Sequence, residues 1–344
     1  MKRRNFVIGA GAVVIAGGAA GTIALRRRIQ GGAEAVRPSG VPLSHFGAES
    51  TAEEVTSGID LSGKTVLVTG ATSGLGLETM RVLAMRGAHV IGTGRTLEKA
   101  KAACQSVQGR TTPVALELER WDTIVSASDL IRALGMPIDM LICNAGIMAL
   151  PKLEQVYGLE KHFVVNHLGH FILVNRLLPQ VQAAPQGRVV VVSSLGYQWA
   201  PAAGIEFDNL SGERGYEPNK MYGQSKLANG LFSLELARRF REAGASTTSN
   251  SVHPGVILTN LGRHFDPWKR TVSKLIGWTF MKSIPEGAAT TCYVATAPAL
   301  AAVNGQYFEN CNPVVPMPGK HMDDLALAQK LWQTSTELVS EYLT

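Results

Sequence analysis

A glycine-rich stretch at residues 69–76, TGATSGLG, follows a β-branched apolar run at residues 65–68 and precedes a pattern of helical period. A strand that ends in such a turn and leads into a helix presents unpaired N–H groups and the positive end of the helix dipole. Glycines at the turn let the backbone approach a pyrophosphate closely. The stretch therefore predicts a dinucleotide-binding turn formed by Gly70, Thr72, Ser73, Gly74, Leu75 and Gly76.

Strand-like and helix-like segments alternate after this turn. The run at residues 187–193 is apolar almost throughout, which is typical of a strand buried on both faces of a parallel sheet. The alternation predicts an α/β fold, a Rossmann-type doubly wound parallel sheet in a single domain over residues 61–344, with the ligand at the carboxyl ends of the strands. Strands are expected at 65–69, 88–93, 113–118, 138–143, 187–193 and 247–253, and helices at 75–86, 97–106, 122–134, 157–181 and 218–243.

The N-terminus carries a hydrophobic segment. Residues 6–25 contain no charge, are flanked by basic residues on both sides, and are long enough to span a bilayer. Arg3 and Arg4 resemble the start of a twin-arginine export signal, and the basic residues on both flanks leave the orientation open. Residues 1–30 are therefore expected to be a membrane anchor or an export signal, with membrane association favoured, and residues 31–60 a linker.

The charge distribution excludes one class of partner. Residues 1–40 carry seven basic side chains and one acidic one, which accounts for the whole net charge of +6. The remaining chain is neutral, whereas a nucleic-acid-binding domain needs a basic surface. The four cysteines are far apart and form no Cys-x-x-Cys pair, so neither a disulfide framework nor a metal site is expected.

In the middle of the chain, four residues suggest acid–base chemistry. Tyr222 and Lys226 are four positions apart and so share one helix face, where a cation beside a phenol lowers the phenol's pKa. Ser194 ends the apolar strand, at the sheet edge where a hydroxyl can donate to a substrate carbonyl. Asn166 lies inside a predicted helix, where an amide is unfavourable unless it holds a water or a backbone group. The nearby His167 and His170 are expected to be core or surface histidines.

These motifs, taken in order, resemble those of the short-chain dehydrogenases/reductases: Gly70-x-x-x-Gly74-x-Gly76, Asn144-Ala145-Gly146, Asn166, Ser194, Tyr222-x-x-x-Lys226 and Pro254-Gly255. The resemblance covers about residues 60–312 and implies the following roles. Tyr222 is the general acid/base, Ser194 orients the carbonyl, Lys226 lowers the Tyr222 pKa and holds the nicotinamide ribose, and Asn166 supports a proton-relay water. The cofactor would also contact Asn144, Ala145, Gly146, Pro254, Gly255, Val256 and Thr259.

The choice of cofactor is predicted from the residues after the second strand. NAD-dependent members of the family carry an acidic residue there, whereas this chain has Gly94-Arg95. Arg95 is placed to meet a 2′-phosphate, so NADP(H) is expected, with NAD(H) as the alternative. Glu117 takes the place of an aspartate that meets the adenine in the family.

Within the family, the segment from Asn166 to His170 and the Gly305-Gln-Tyr-Phe motif resemble the retinol-dehydrogenase and WW-domain oxidoreductase group. The expected reaction interconverts an alcohol and a carbonyl on a lipophilic small molecule. A non-catalytic nucleotide-binding regulator and a reductase of carbon–carbon double bonds are the alternatives. Residues 262–283 are expected to form an amphipathic lid over the substrate, with contact with a membrane surface or packing of a helix on the core as the alternatives. Homodimers or tetramers are a family expectation.

Overall fold

The computed structural model describes residues 35–257 and 281–344. The hydrophobic segment at 6–25, the cofactor contact at Thr259 and nearly all of the expected lid therefore lie outside the described residues. Within the two described ranges, no helix has both the length and the apolar character that crossing a bilayer requires.

A central sheet organises the described part of the chain. Eight strands form it in the order β10-β9-β8-β7-β4-β1-β2-β3, and they run parallel except that β10 is antiparallel to β9. This order confirms the predicted Rossmann-type sheet. The strands are β1 Thr65–Val68, β2 His89–Gly94, β3 Thr111–Ala115, β4 Met140–Cys143, β5 Gln155–Val156, β6 Leu159–Glu160, β7 Arg188–Val192, β8 Thr248–His253, β9 Tyr307–Glu309 and β10 Asn312–Pro313.

Helices cover both faces of the sheet. On β1, Val66 and Val68 join a hydrophobic cluster that includes residues of α2 and α7, whereas Leu67 joins a second cluster that includes residues of α5 and α6. Alternate side chains thus point to opposite layers, and both layers are apolar. The helices are α1 Ala52–Val55, α2 Gly74–Met85, α3 Leu97–Gln105, α4 Trp121–Ala133, α5 Gly169–Gln182, α6 Pro218–Glu242, α7 Ile284–Thr296 and α8 Leu325–Leu338.

The segment predicted as one helix over residues 157–181 is wrong in its first four residues. Residues 155–160 form the β5–β6 hairpin, whose two turn residues, Tyr157 and Gly158, have φ of 55° and 74°. Two consecutive positive φ values belong to a tight hairpin turn and are incompatible with a helix. Helical structure begins at residue 161, passes through a π-helix at Phe163–Leu168 and continues directly into α5.

Residues 36–46 run along the outer edge of the sheet at β10. The Val315 amide donates to the Val36 carbonyl at 2.8 Å, and the Arg37 guanidinium donates to the Pro313 carbonyl at 2.9 Å. The Asn312 side chain accepts from the Ser44 amide at 2.9 Å and donates to the Phe46 carbonyl at 2.9 Å. These bonds satisfy backbone groups at an edge that would otherwise be open to another strand.

The C-terminal helix α8 packs across the outer faces of α5 and α6. The Trp332 ring lies 4.9 Å from that of Phe171 on α5 and 5.7 Å from that of Phe232 on α6. The buried His167 contributes a hydrogen bond of 2.8 Å between its Nε2 and the hydroxyl of Ser335. The long helices are thus covered on this side by the chain itself.

Candidate active site

The order in which the strands are added to the sheet reverses between β1 and β4. From β1 the strands proceed outward to β2 and β3, and from β4 they proceed the other way to β7 and β8. The loops after two neighbouring strands therefore separate and leave a crevice at the carboxyl edge. The residues that follow β1, β2, β4, β7 and β8 all reach this edge, and they include most of the predicted site residues.

The turn after β1 is built for close backbone contact. Gly70 and Gly74 adopt φ of +66° and +57°, which favours glycine. A Cβ on Gly76 would lie 2.3 Å from the Gly70 carbonyl oxygen and 2.5 Å from the Asn144 side-chain nitrogen. Since α2 begins at Gly74, Thr72 and Ser73 lie in the turn and Leu75 in the first helical turn. This is the arrangement expected of a pyrophosphate-binding turn.

The loop after β4 is bonded to this turn through Thr69. The Thr69 hydroxyl accepts from the amides of Asn144 and Ala145 at 2.9 and 3.0 Å, and the Asn144 side chain donates to the Thr69 carbonyl at 2.8 Å. A Cβ on Gly146 would lie 3.0 Å from Asn166 Oδ1 and 3.5 Å from Lys226 Nζ. The Asn-Ala-Gly segment thus joins the nucleotide turn to the catalytic candidates.

Tyr222 and Ser194 lie together at the end of β7. Tyr222 is on α6 and buried, and its phenol is hydrogen-bonded to Ser194, which caps the short helix at Leu195–Trp199. A Cβ on Gly196 would lie 2.7 Å from Tyr222 Cε1, so this glycine lets the phenol ring rest on the backbone.

Burial raises the pKa of Tyr222 to about 12, because removing the phenolate from water costs more than the hydrogen bond from Ser194 returns. This direction is opposite to the lowering expected from Lys226. At neutral pH the phenol of the described structure holds its proton.

Lys226 lies one turn further along α6 and is buried. Its Nζ donates to the Val192 carbonyl at 3.1 Å and lies 5.9 Å from the centre of the Tyr222 ring. Burial lowers the pKa of Lys226 to about 8, which leaves it mostly protonated at pH 7. The ammonium is therefore a buried positive charge beside the phenol.

Asn166 lies in the π-helix at Phe163–Leu168 and is fully buried. Its Oδ1 accepts from the Ile147 amide at 2.8 Å, and its Nδ2 donates to the Ile147 carbonyl at 3.0 Å and to the Ser225 hydroxyl at 2.9 Å. The amide is thus satisfied by the loop after β4 and by α6. It ties both to the helix that carries it.

The remaining predicted contacts lie along the same edge. Arg95 is exposed directly after β2, and Gly94 before it packs so closely that a Cβ would meet Thr72 at 2.5 Å. Glu117 is partly buried after β3, and its amide donates to Thr123. Pro254, Gly255 and Val256 follow β8, with Gly255 at φ +99°.

Sequence reasoning missed three residues that hold the site. His253 accepts from the amide of Leu195 at 3.3 Å, Ser193 donates to the Lys226 carbonyl at 2.7 Å, and Ser225 donates to the Tyr222 carbonyl at 2.7 Å. All three adjoin motif residues in the sequence, which was the available signal. Their partners, however, lie 33 to 58 positions away or within one helical turn, so only the fold reveals the bonds.

The sheet order and the glycine turn are those of dinucleotide-binding α/β proteins. The sequence model of the short chain dehydrogenase family matches residues 64–270, which is more than half of the chain. The protein therefore belongs to this family of NAD(P)-dependent oxidoreductases.

Curated relatives confirm the group within the family. The chain is 42% identical over 306 residues to the chloroplastic short-chain dehydrogenase TIC 32 B of Brassica napus, covering 86% of this chain and 95% of that one. It is 38% identical to human retinol dehydrogenase 14, with 81% and 87% covered. It is 36% identical to the human WW domain-containing oxidoreductase, with 87% and 73% covered.

Solved structures agree with the fold. A protein from Mycobacterium paratuberculosis is 32% identical and superposes with a TM-score of 0.68, covering 83% of this chain and 97% of its own. RhlG of Pseudomonas aeruginosa, solved as a complex with NADP, is 24% identical with a TM-score of 0.56, covering 73% and 95%, and shows the fold alone.

Proposed function

We propose that the protein is an NADP(H)-dependent oxidoreductase that interconverts an alcohol and a carbonyl group on a lipophilic small molecule. The observation that carries the proposal is the contact between the buried Tyr222 and the partly buried Ser194, with the buried Lys226 one turn further along α6. A phenol, a hydroxyl and an ammonium in this arrangement supply a proton donor, a hydrogen-bond donor and a positive charge at one point.

The glycines at the crevice support a dinucleotide cofactor. A Cβ on Gly76 would meet the Asn144 side chain at 2.5 Å and one on Gly146 would meet Asn166 at 3.0 Å, so glycine lets the nucleotide turn and the loop after β4 pack closely together. When bound, the nicotinamide supplies or takes the hydride. Gly70, Gly74 and Gly76 would hold the pyrophosphate, and the Asn144-Ala145-Gly146 loop the adenosine side. Pro254, Gly255, Val256 and Thr259 would lie against the nicotinamide.

In the direction of carbonyl reduction, the Tyr222 phenol gives its proton to the substrate oxygen as negative charge develops there. The Ser194 hydroxyl donates a hydrogen bond to the same oxygen. Because the phenol holds its proton at neutral pH, the described site is prepared for this direction. Lys226 keeps a positive charge near the phenolate that remains, and Asn166 holds the loop through which a relay water would return the proton.

Arg95 supports the choice of NADP(H). Its exposed guanidinium follows β2 directly, where a ribose 2′-phosphate would need a cation. An acidic residue that would bind the ribose hydroxyls of NAD(H) is replaced here by Gly94 and Arg95. We place the adenine contact at Glu117, after β3.

Trp199 supports a lipophilic substrate. It is 50% exposed, and its ring lies 6.3 Å from that of Tyr222. An exposed indole beside the reacting group gives an apolar wall to a substrate. The relative human retinol dehydrogenase 14 is named for a lipophilic alcohol, retinol.

The test is a Tyr222→Phe variant assayed for NADPH consumption against a panel of lipophilic aldehydes and ketones. Turnover should be lost while NADPH binding, measured by fluorescence titration, persists. Tyr216→Phe is the matched control, because this phenol only donates to the Leu150 carbonyl, at 2.7 Å. Near-normal turnover in Tyr222→Phe would refute the mechanism. If the wild-type protein binds NADPH but turns over nothing, a regulatory nucleotide-binding role is favoured, and a saturated carbonyl product would indicate double-bond reduction.

We also propose that residues 6–25 attach the protein to a membrane, on the strength of their sequence alone. Flotation with vesicles tests it: the full chain should float, whereas a variant that lacks residues 2–30 should remain in the aqueous fraction. Flotation of both variants would contradict the assignment.

A further inference from the structure

His170 joins two parts of the active site that are far apart in the sequence. Its Nδ1 lies 3.0 Å from the main-chain oxygen of Asn166, and its Nε2 lies 2.9 Å from the hydroxyl of Thr69. A carbonyl oxygen only accepts, so Nδ1 carries the proton. Nε2 of the neutral ring then accepts from the Thr69 hydroxyl. The two bonds fix one tautomer of a fully buried imidazole.

The ring is neutral at physiological pH. The pKa of His170 is lowered to about 4, because burial and the charge of Lys226 together outweigh the bond to the Asn166 carbonyl, which raises it. Protonation would put a hydrogen on Nε2 and reverse its role toward Thr69. The bonding pattern is therefore constant over the range in which the enzyme would work.

At one end, the Thr69 hydroxyl has two acceptors within reach, His170 Nε2 at 2.9 Å and the Ile142 carbonyl at 3.4 Å, and the shorter contact directs its proton to His170. With its proton committed to Nε2, the oxygen has its lone pairs free for the amides of Asn144 and Ala145. That contact holds the loop after β4 against the nucleotide turn. His170 thus sets the orientation of the group on which both cofactor loops depend.

At the other end, His170 supports the π-helix. Such helices are rare and occur frequently at functional sites, where an extra residue redirects side chains. From the same Asn166, the side chain reaches Ile147 and Ser225, and Ser225 bonds the Tyr222 carbonyl. A continuous path of hydrogen bonds therefore runs from Thr69 through His170 and Asn166 to the helix that carries Tyr222.

We propose that His170 is a positioning residue that couples the nucleotide-binding turn to the catalytic helix, so that cofactor affinity and proton transfer depend on it together. It contacts neither substrate nor reacting atoms. It acts through Thr69 on the cofactor side and through the Asn166 main chain on the catalytic side. The inference rests on the proposed function for its turnover measurement and on the proposed cofactor for its binding measurement.

The chain offers a matched control. His167 is equally buried and lies three positions earlier in the same helical segment, and burial also lowers its pKa, to about 3. Its hydrogen bond, however, goes to Ser335 on α8, away from the site. Substitutions at both histidines remove a buried imidazole, but only those at His170 break the path.

The experiment compares His170→Leu, His170→Gln and His170→Asn with His167→Leu and His167→Gln. Each is measured for kcat, KM, NADPH dissociation constant and melting temperature. We expect His170→Leu to lower kcat by about tenfold to 100-fold, the scale that a misplacement of about 1 Å produces, and to raise the NADPH dissociation constant at least about threefold. Gln keeps an acceptor for Thr69 and Asn keeps a donor for the Asn166 carbonyl, so each should recover part of one effect.

The His167 variants should lower the melting temperature while kcat and the dissociation constant stay within about twofold. The inference is overturned if the His170 variants behave in the same way. If His170→Leu does not fold, nitrogen NMR of the wild-type imidazole decides: the proton must reside on Nδ1 with and without NADPH, and a proton on Nε2 refutes the path. A wild type without turnover whose NADPH affinity depends on His170 would refute the proposed reaction and support the coupling.

Discussion

Replacing Gly76 by alanine sets two effects against each other. Gly76 lies in the first turn of α2, and a glycine-to-alanine change in a helix ordinarily stabilises by about 1 kcal/mol. Here the added Cβ would lie 2.3 Å from the Gly70 carbonyl oxygen and 2.5 Å from Asn144 Nδ2. An ordinary contact needs more than about 3 Å, so the turn must open by roughly 0.7 Å.

The clash should win. One of the two atoms is backbone of the turn, and the other is held by its 2.8 Å bond to the Thr69 carbonyl. Overpacking of this kind costs about 1–3 kcal/mol and exceeds the gain in helix propensity. A displaced turn also loses its fit to a pyrophosphate. Each 1.4 kcal/mol lost there raises the NADPH dissociation constant about tenfold.

Urea unfolding and NADPH titration measure the two consequences separately. Gly47→Ala is the control, because its Cβ would have nothing within 4 Å and its φ is not positive. We expect the control to match the wild type in both assays, and Gly76→Ala to be less stable and to bind NADPH at least about tenfold more weakly. A Gly76→Ala protein that is as stable as the wild type and binds NADPH equally would refute the assignment of this turn.

Three further predictions follow from single side chains. Arg95→Gln should raise the KM for NADPH about tenfold and leave the KM for NADH unchanged, as measured by steady-state kinetics with both cofactors. Equal effects on the two KM values would show that Arg95 does not bind the 2′-phosphate. Lys226→Met should abolish turnover yet unfold at higher urea than the wild type at pH 7, because the shift of the Lys226 pKa from 10.5 to about 8 means that the folded state binds fewer protons than the unfolded state, a cost of up to about 3 kcal/mol. Stability of the wild type therefore rises with pH between about 8 and 10.5 from this group, so the advantage of Lys226→Met must shrink over that window, and a constant difference would contradict the burial argument. Trp332→Ala should cost about 3–5 kcal/mol of unfolding free energy, since the ring packs between α5 and α6; a loss below about 1 kcal/mol in urea unfolding would show that α8 is not docked there.

Much of the sheet was predictable from local pattern. Strands such as β7 are apolar throughout because both of their faces are covered, and that composition is visible in the sequence. The glycines at residues 70, 74 and 76 likewise indicate a turn in which a side chain would either be strained by a positive φ or clash with its neighbours. These features are marked by the residue types within one short stretch of the chain, so periodicity and composition contain the information.

The errors and omissions arise where long-range packing decides. Apolar periodicity over residues 157–181 does not distinguish a helix from a hairpin followed by a π-helix, because the bonds of Asn166 that accompany the change go to residues 19 and 59 positions away. The net direction of the Tyr222 pKa shift is likewise not contained in the spacing. Spacing reveals that Lys226 is near, but it does not reveal that burial of the phenol is complete enough to outweigh every other contribution.

The same burial explains why the site needs a cofactor and a substrate to complete it. A phenol with a pKa near 12 is a weaker acid than a free phenol and costs more free energy to ionise, and a buried ammonium with a pKa near 8 is a costly charge. Each group is unfavourable alone, and each stabilises the charge that the other carries during the reaction. A rigid frame is therefore required to keep them together: Ser193, Ser225 and the backbone of Gly196 hold Tyr222 and Lys226 from three sides. The free energy of unfolding that is lost by burying these groups is offset by their correct orientation in the transition state.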